Sequence, residues 1–137
     1  MPRARISPRV APRHRARAIP TAAAVERYLA AWRWRRDVEH RLRRVGLTFP
    51  QWFVLDAVKR LIHDTKDAVN QNGVASLTEL DRMTVSQVMT TLAERGHVDR
   101  DTGVVGRGYR IWVTSKGEKT LALAADALTS DDHDDWG

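Results

Sequence analysis

The 137-residue chain contains no cysteine. That excludes a disulfide scaffold, a thiolate zinc site, a cysteine nucleophile and a thiol redox switch. Long apolar runs are missing too. None approaches the ~18 residues that a membrane span needs, and the first residues hold no apolar stretch of the kind a secretory signal carries. No membrane association is expected, and the lack of cysteine suits a reducing cytoplasm. Proline is almost confined to one end: four of the five stand at positions 2, 8, 12 and 20, and the fifth is Pro50. The histidines, at 14, 40, 63, 97 and 133, show no metal-ligand spacing. There is no G-x-S-x-G motif and no carboxylate pair in an apolar setting, so no catalytic site, metal or cofactor is expected. Gly103-Val104-Val105-Gly106-Arg107-Gly108 has the glycines of a phosphate loop. It lacks the Lys-Ser/Thr ending and the strand-to-helix setting.

What is present is positive charge, unevenly spread. The formal net charge is +6. Residues 1–20 hold six arginines and no acid, whereas residues 131–137 hold four aspartates and no lysine or arginine. Four prolines among six self-repelling arginines forbid a continuous helix and cannot build a core. Residues 1–20 therefore read as a disordered basic arm, either a phosphate-seeking element or a solvated leader. Residues 130–137 read as an acidic tail, and residues 21–129 as the folded domain.

Within that domain, 21–45 holds neither glycine nor proline. Tyr28, Ala31/Trp32, Val38, Leu42 and Val45 recur at helical spacing, with Arg27, Arg33, Arg36, Arg41, Arg43 and Arg44 crowding the other faces. One long helix is expected, with Thr21 as a possible N-cap and Gly46 as its stop. It needs the rest of the domain or a second copy to cover its apolar stripe. Thr48-Phe49-Pro50 opens a second helix, bounded by the polar stretch His63–Asp67. A third runs from Ala68 to Leu77 and a fourth from near Asp81 to Gly96, with Val85, Val88, Met89 and Leu92 as its buried stripe. The period then changes. His97–Arg100 and Tyr109–Val113 alternate and are rich in β-branched and aromatic residues, with three glycines between them: a hairpin. A last helix is expected from Glu118 to about Leu128.

Two helices joined by a tight turn and followed by a two-stranded wing form a winged helix-turn-helix, mainly α with a small β-hairpin. The second helix of such a pair suits the DNA major groove. Its outward face here offers Arg82, Thr84, Ser86, Gln87, Thr90 and Thr91. Gln can pair with adenine at two points, and hydroxyls serve bases or phosphates. Arg107, between Gly106 and Gly108 at the hairpin tip, suits a narrow minor groove. Arg110 follows it on the second strand.

Four segments carry a resemblance to one family. Gly46-Leu47-Thr48-Phe49-Pro50-Gln51-Trp52-Phe53-Val54-Leu55 is similar to the start of the second helix in MarR-family regulators. Asp81-Arg82-Met83-Thr84-Val85-Ser86-Gln87-Val88 resembles their recognition helix. Leu92-Ala93-Glu94-Arg95-Gly96-His97-Val98-Asp99-Arg100 resembles the lead into their wing, and Val113-Thr114-Ser115-Lys116-Gly117 the exit from it. The match spans about residues 28–128.

The resemblance implies a homodimeric, bacterial-type transcriptional regulator, cytoplasmic and nucleoid-associated. Such a protein binds a pseudo-palindromic operator in double-stranded DNA and often releases it on binding a small aromatic ligand. It places Thr84, Ser86 and Gln87 on the recognition helix and Arg107 at the wing arginine. Tyr28, Trp32 and Leu42 become the apolar dimer surface. Trp32, Trp52 and Phe53 become candidate lining for a ligand pocket, with core packing as their alternative role. The sequence departs from the family in two places. Val105 stands where an aspartate usually holds the wing arginine, and the chain stops before the family's further C-terminal helix, so a smaller dimer interface is expected. A winged helix used for protein contact and sequence-blind binding through the arginine arm are the alternatives.

Overall fold

In a computed structural model, residues 21–65, 69–101 and 110–130 are described. The arm of residues 1–20, Arg107 at the hairpin tip and the acidic residues 131–137 lie outside them. The chain divides into two compact units, Met1–Trp34 and Arg35–Gly137. The first helix, α1 (Thr21–Leu42), contributes to both. Then come α2 (Phe49–Thr65), α3 (Gln71–Thr78), α4 (Arg82–Glu94), β1 (Val98–Asp101), β2 (Arg110–Val113) and α5 (Ser115–Thr129).

In the first unit, the start of α1 exposes Val25, Tyr28, Leu29 and Trp32. They recur at i, i+3, i+4 and i+7, one apolar stripe; Trp34, also exposed, lies on another face of the helix.

The second unit is built around α2. Val54, Leu55 and Val58 of that helix meet Val74 of α3, Val85, Met89 and Leu92 of α4, Val98 and Ile111 of the hairpin and Leu121 of α5. A smaller cluster joins Val38 and Leu42 of α1 to Leu47 and Ala124, with Phe49, Trp52 and Leu128 at its edge.

Local chemistry sets the boundaries, and in several places it departs from the sequence expectation. Thr21 is the first helical residue, and α1 ends at Leu42, not Val45. Arg43–Val45 tighten into a 3-10 turn, and Gly46 closes it at φ +75°, where a side chain would be strained. Leu42 is fully buried in its own chain, so it is unavailable to a second copy. Arg41 does not join the solvated arginine face but is buried as well. At the start of α2, the Thr48 N–H donates to Gln51 Oε1 and the Gln51 N–H to Thr48 Oγ1, a reciprocal capping box. The helix runs through His63 and Asp64 to Thr65, because a polar stretch on an exposed face does not end a capped helix.

Val69 is not helical. Its carbonyl accepts the Ile111 N–H at 2.9 Å, an antiparallel bridge that sets β2 between Val69 and β1. The α3 helix waits for Asn70, whose side chain accepts the Gly73 N–H at 2.9 Å and caps it. Likewise Thr114 accepts the Gly117 N–H, so α5 starts at Ser115, three residues before the expected Glu118. The β1–β2 register pairs Val98 with Val113 and Asp101 with Arg110.

Candidate nucleic-acid interface

The turn between α3 and α4 is Glu79-Leu80-Asp81. Glu79 adopts the left-handed conformation at φ 59°, which brings the two helices round within three residues. Asp81 then caps α4 with both carboxylate oxygens: the Thr84 N–H donates to Oδ1 at 2.8 Å and the Thr84 hydroxyl to Oδ2 at 2.7 Å. These bonds hold the Asp81 carboxyl below the usual aspartate range.

This arrangement sorts the polar face of α4. Val85, Met89 and Leu92 commit one side to the core. On the other side, the Thr84 hydroxyl hydrogen is spent on the cap. Thr90 donates its hydroxyl to the Ser86 carbonyl at 3.0 Å, and Thr91 to the Gln87 carbonyl at 3.3 Å. The Thr84, Thr90 and Thr91 hydroxyls thus retain only acceptor capacity. Arg82, Ser86 and Gln87 are exposed, and their side chains have no partner among the described residues. They are the groups left to meet something outside the chain.

These three side chains share a cleft of about 460 Å³ with Met83 and with Gln71 and Asn72 from the start of α3. Sequence reasoning passed over the last three. Met83 was legible as the apolar residue of a polar helix face, but Gln71 and Asn72 join the site only through the fold. Arg110 is exposed on β2, opposite Asp101. At the far end of α4, Lys116 Nζ donates to the Arg95 carbonyl at 2.6 Å and the Thr114 hydroxyl to the Gly96 carbonyl at 2.6 Å. Arg95 Nη1 donates in turn to Gln51 Oε1 at 3.2 Å. The helix is therefore held at both ends.

Elsewhere in the second unit, α2 and α5 enclose a groove of about 490 Å³. Trp52, Leu121, Ala125 and Leu128 supply apolar walls, and Lys59 and His63 lie among its polar lining. Of the three aromatic residues expected at a ligand pocket, Trp52 lines this groove. Phe53 belongs to an aromatic group with Phe49 and Trp52, at 5.5 and 6.5 Å between ring centroids. Trp32 lies in the first unit and is 46% exposed. Among the described residues no cluster of histidine, aspartate and glutamate could hold a metal ion. No described helix is long and apolar enough to cross a membrane.

A capped helix pair with a three-residue turn, followed by an antiparallel hairpin, defines a winged helix-turn-helix. No family model and no curated protein matches the sequence. Solved structures do match. CouR from Rhodococcus jostii, solved bound to p-coumaroyl-CoA, is 23% identical with a TM-score of 0.68, over 82% of this chain and 77% of that one. The transcriptional regulator MosR of M. tuberculosis is 22% identical with a TM-score of 0.62, over 81% and 77%. A mutant MarR from E. coli complexed with operator DNA is 14% identical with a TM-score of 0.69, over 81% and 76%. The chain has the MarR-like winged-helix fold.

Proposed function

We propose that this protein is a sequence-specific, DNA-binding transcriptional regulator that works by binding and not by catalysis. The observation that carries the proposal is the division of α4. Its apolar side is sealed into the core, while Arg82, Ser86 and Gln87 stand exposed and uncommitted at its first two turns. In a helix-turn-helix these are the turns that meet base edges. Gln87 and Ser86 supply selectivity. Arg82, Arg110, the wing-tip Arg107 and the basic residues 1–20 supply phosphate attraction. Thr84 and Thr90 donate their hydroxyl hydrogens within the chain and keep acceptor oxygens for a base amino group.

The protein acts as a homodimer. The support is the exposed stripe Val25, Tyr28, Leu29 and Trp32, with Tyr28 67% exposed. Scattered apolar residues need no explanation, but four on one helical face fit a second copy. Two copies place their α4 helices in successive major grooves roughly 34 Å apart. The groove beside Trp52 suits a small aromatic ligand, and ligand release of DNA requires that it favour one spacing of the two reading helices over another. A DNA-bound regulator of this type resides in the bacterial cytoplasm at the nucleoid.

Selection of bound duplex from a random pool tests the proposal. An enriched inverted repeat is the expected product. A pool that binds without enrichment reduces the protein to a sequence-blind binder, and a pool that does not bind leaves a protein-contact module.

A further inference from the structure

We propose that Met83 is a base-reading residue that recognises the 5-methyl group of a thymine next to the adenine engaged by Gln87. This rests on the regulator function proposed above and adds a specificity determinant to it.

Met83 is 71% exposed. The other apolar residues of α4 point into the fold: Val85, Met89 and Leu92 are fully buried, and Val88 packs on the core. Met83 falls outside that stripe, two residues after the Asp81 cap. Its neighbours in the cleft are all polar: Arg82, Ser86, Gln87, Gln71 and Asn72. Between Arg82 and Ala93, α4 carries no acid; its one carboxylate, Glu94, stands at the far end of the helix, about three turns from Met83. Among the described residues a thioether so exposed has no packing role, and no second apolar residue lines the cleft to make it a protein-docking patch.

The major groove supplies the complement. Its base edges are hydrogen-bonding groups with one apolar exception, the thymine methyl. An unbranched thioether is suited to that contact because three rotatable bonds let it follow the methyl, and its sulfur is polarisable. Met83 and Gln87 lie four residues apart, one above the other on the same helix face. One residue thus offers apolar contact and the other a bidentate amide, which matches the pattern of adjoining thymine and adenine.

The test uses the full-length protein and the duplex recovered from the random pool. Thymines are replaced one position at a time, in both half-sites, by deoxyuridine, which lacks only the methyl. Binding is measured at fixed salt. Wild type is expected to lose about fourfold in affinity per half-site at one thymine position, the transfer value of one buried methyl group. Met83→Ala should show that loss on the thymine duplex and become indifferent to the replacement. Met83→Leu should keep the preference, and the exposed position predicts an unchanged thermal midpoint for both variants. Indifference of wild type to every replacement overturns the inference, as does a Met83→Ala protein that still discriminates. Either result leaves the regulator function intact, because Gln87-dependent selectivity is scored separately. A pool without an enriched sequence overturns both.

Discussion

The Arg41 guanidinium, carried near the end of α1, donates to the main-chain carbonyl of Ser130 at 2.6 Å, 89 residues along the chain. The same Nη1 reaches the Ala127 carbonyl at 3.2 Å, and Nε pairs with Asp37 at 3.1 Å. A buried cation therefore satisfies the last carbonyls of α5, where the helix dipole is negative. Arg41→Ala removes the Ser130 carbonyl's donor and leaves the Ala127 carbonyl only the Ser130 hydroxyl at 3.3 Å, and should cost about 2 kcal/mol, in the range for buried unsatisfied groups. Lys cannot reproduce the fork, so Arg41→Lys should recover only part of this. Urea unfolding of the three proteins checks both statements.

Gly117 sits against the turn that closes α4. A Cβ there would lie 2.1 Å from the His97 carbonyl oxygen and 2.6 Å from a Val113 methyl. Backbone cannot retreat as a flexible side chain can, so Gly117→Ala should destabilise by about 1–3 kcal/mol. A denaturation midpoint equal to wild type would show that the first turn of α5 can slide.

His97 is buried, 3% exposed, and neither ring nitrogen has a hydrogen-bond partner among the described residues. Burial, then the nearby charges of Lys116 and Arg95, hold its pKa below the ordinary 6.5. The unfolded chain therefore binds the proton more readily than the folded one. The stabilising contribution is complete above pH 6.5 and is lost as pH falls toward the folded value. Stability should decline on acidification through this window by no more than about 1.4 kcal/mol per pH unit, the limit for one proton. His97→Leu should flatten that part of the curve.

The arm of residues 1–20 carries six arginines. Its deletion should weaken binding to any duplex alike and flatten the dependence of affinity on salt, because fewer counterions are released. An unchanged salt slope would make the arm a bystander.

Much of this molecule is legible in its sequence, for physical reasons that differ by element. The period-3.6 stripe of α4 could be read directly, since Val85, Met89 and Leu92 have no other use, and Gly46 and Asp81 mark helix ends through local chemistry alone. Long-range partners are what periodicity cannot show. Arg41 reads as one solvated arginine among many until Ser130 is beside it. Leu42 reads as an interface residue until Leu47 and Ala124 close over it. Val69 reads as helix until Ile111 offers it a strand. The outward face of α4 reads as a list of polar residues, but which of them are free depends on hydroxyl geometry: Thr84, Thr90 and Thr91 turn back onto their own chain and leave Arg82, Ser86 and Gln87.

The central claim, that this face reads bases, is tested most directly by Gln87→Ala. Its affinity should be compared with wild type on the selected duplex and on a scrambled one at the same salt. Loss of roughly 1–3 kcal/mol on the selected sequence, with binding to the scrambled duplex unchanged, is the predicted result. Equal loss on both, or none on either, would contradict it.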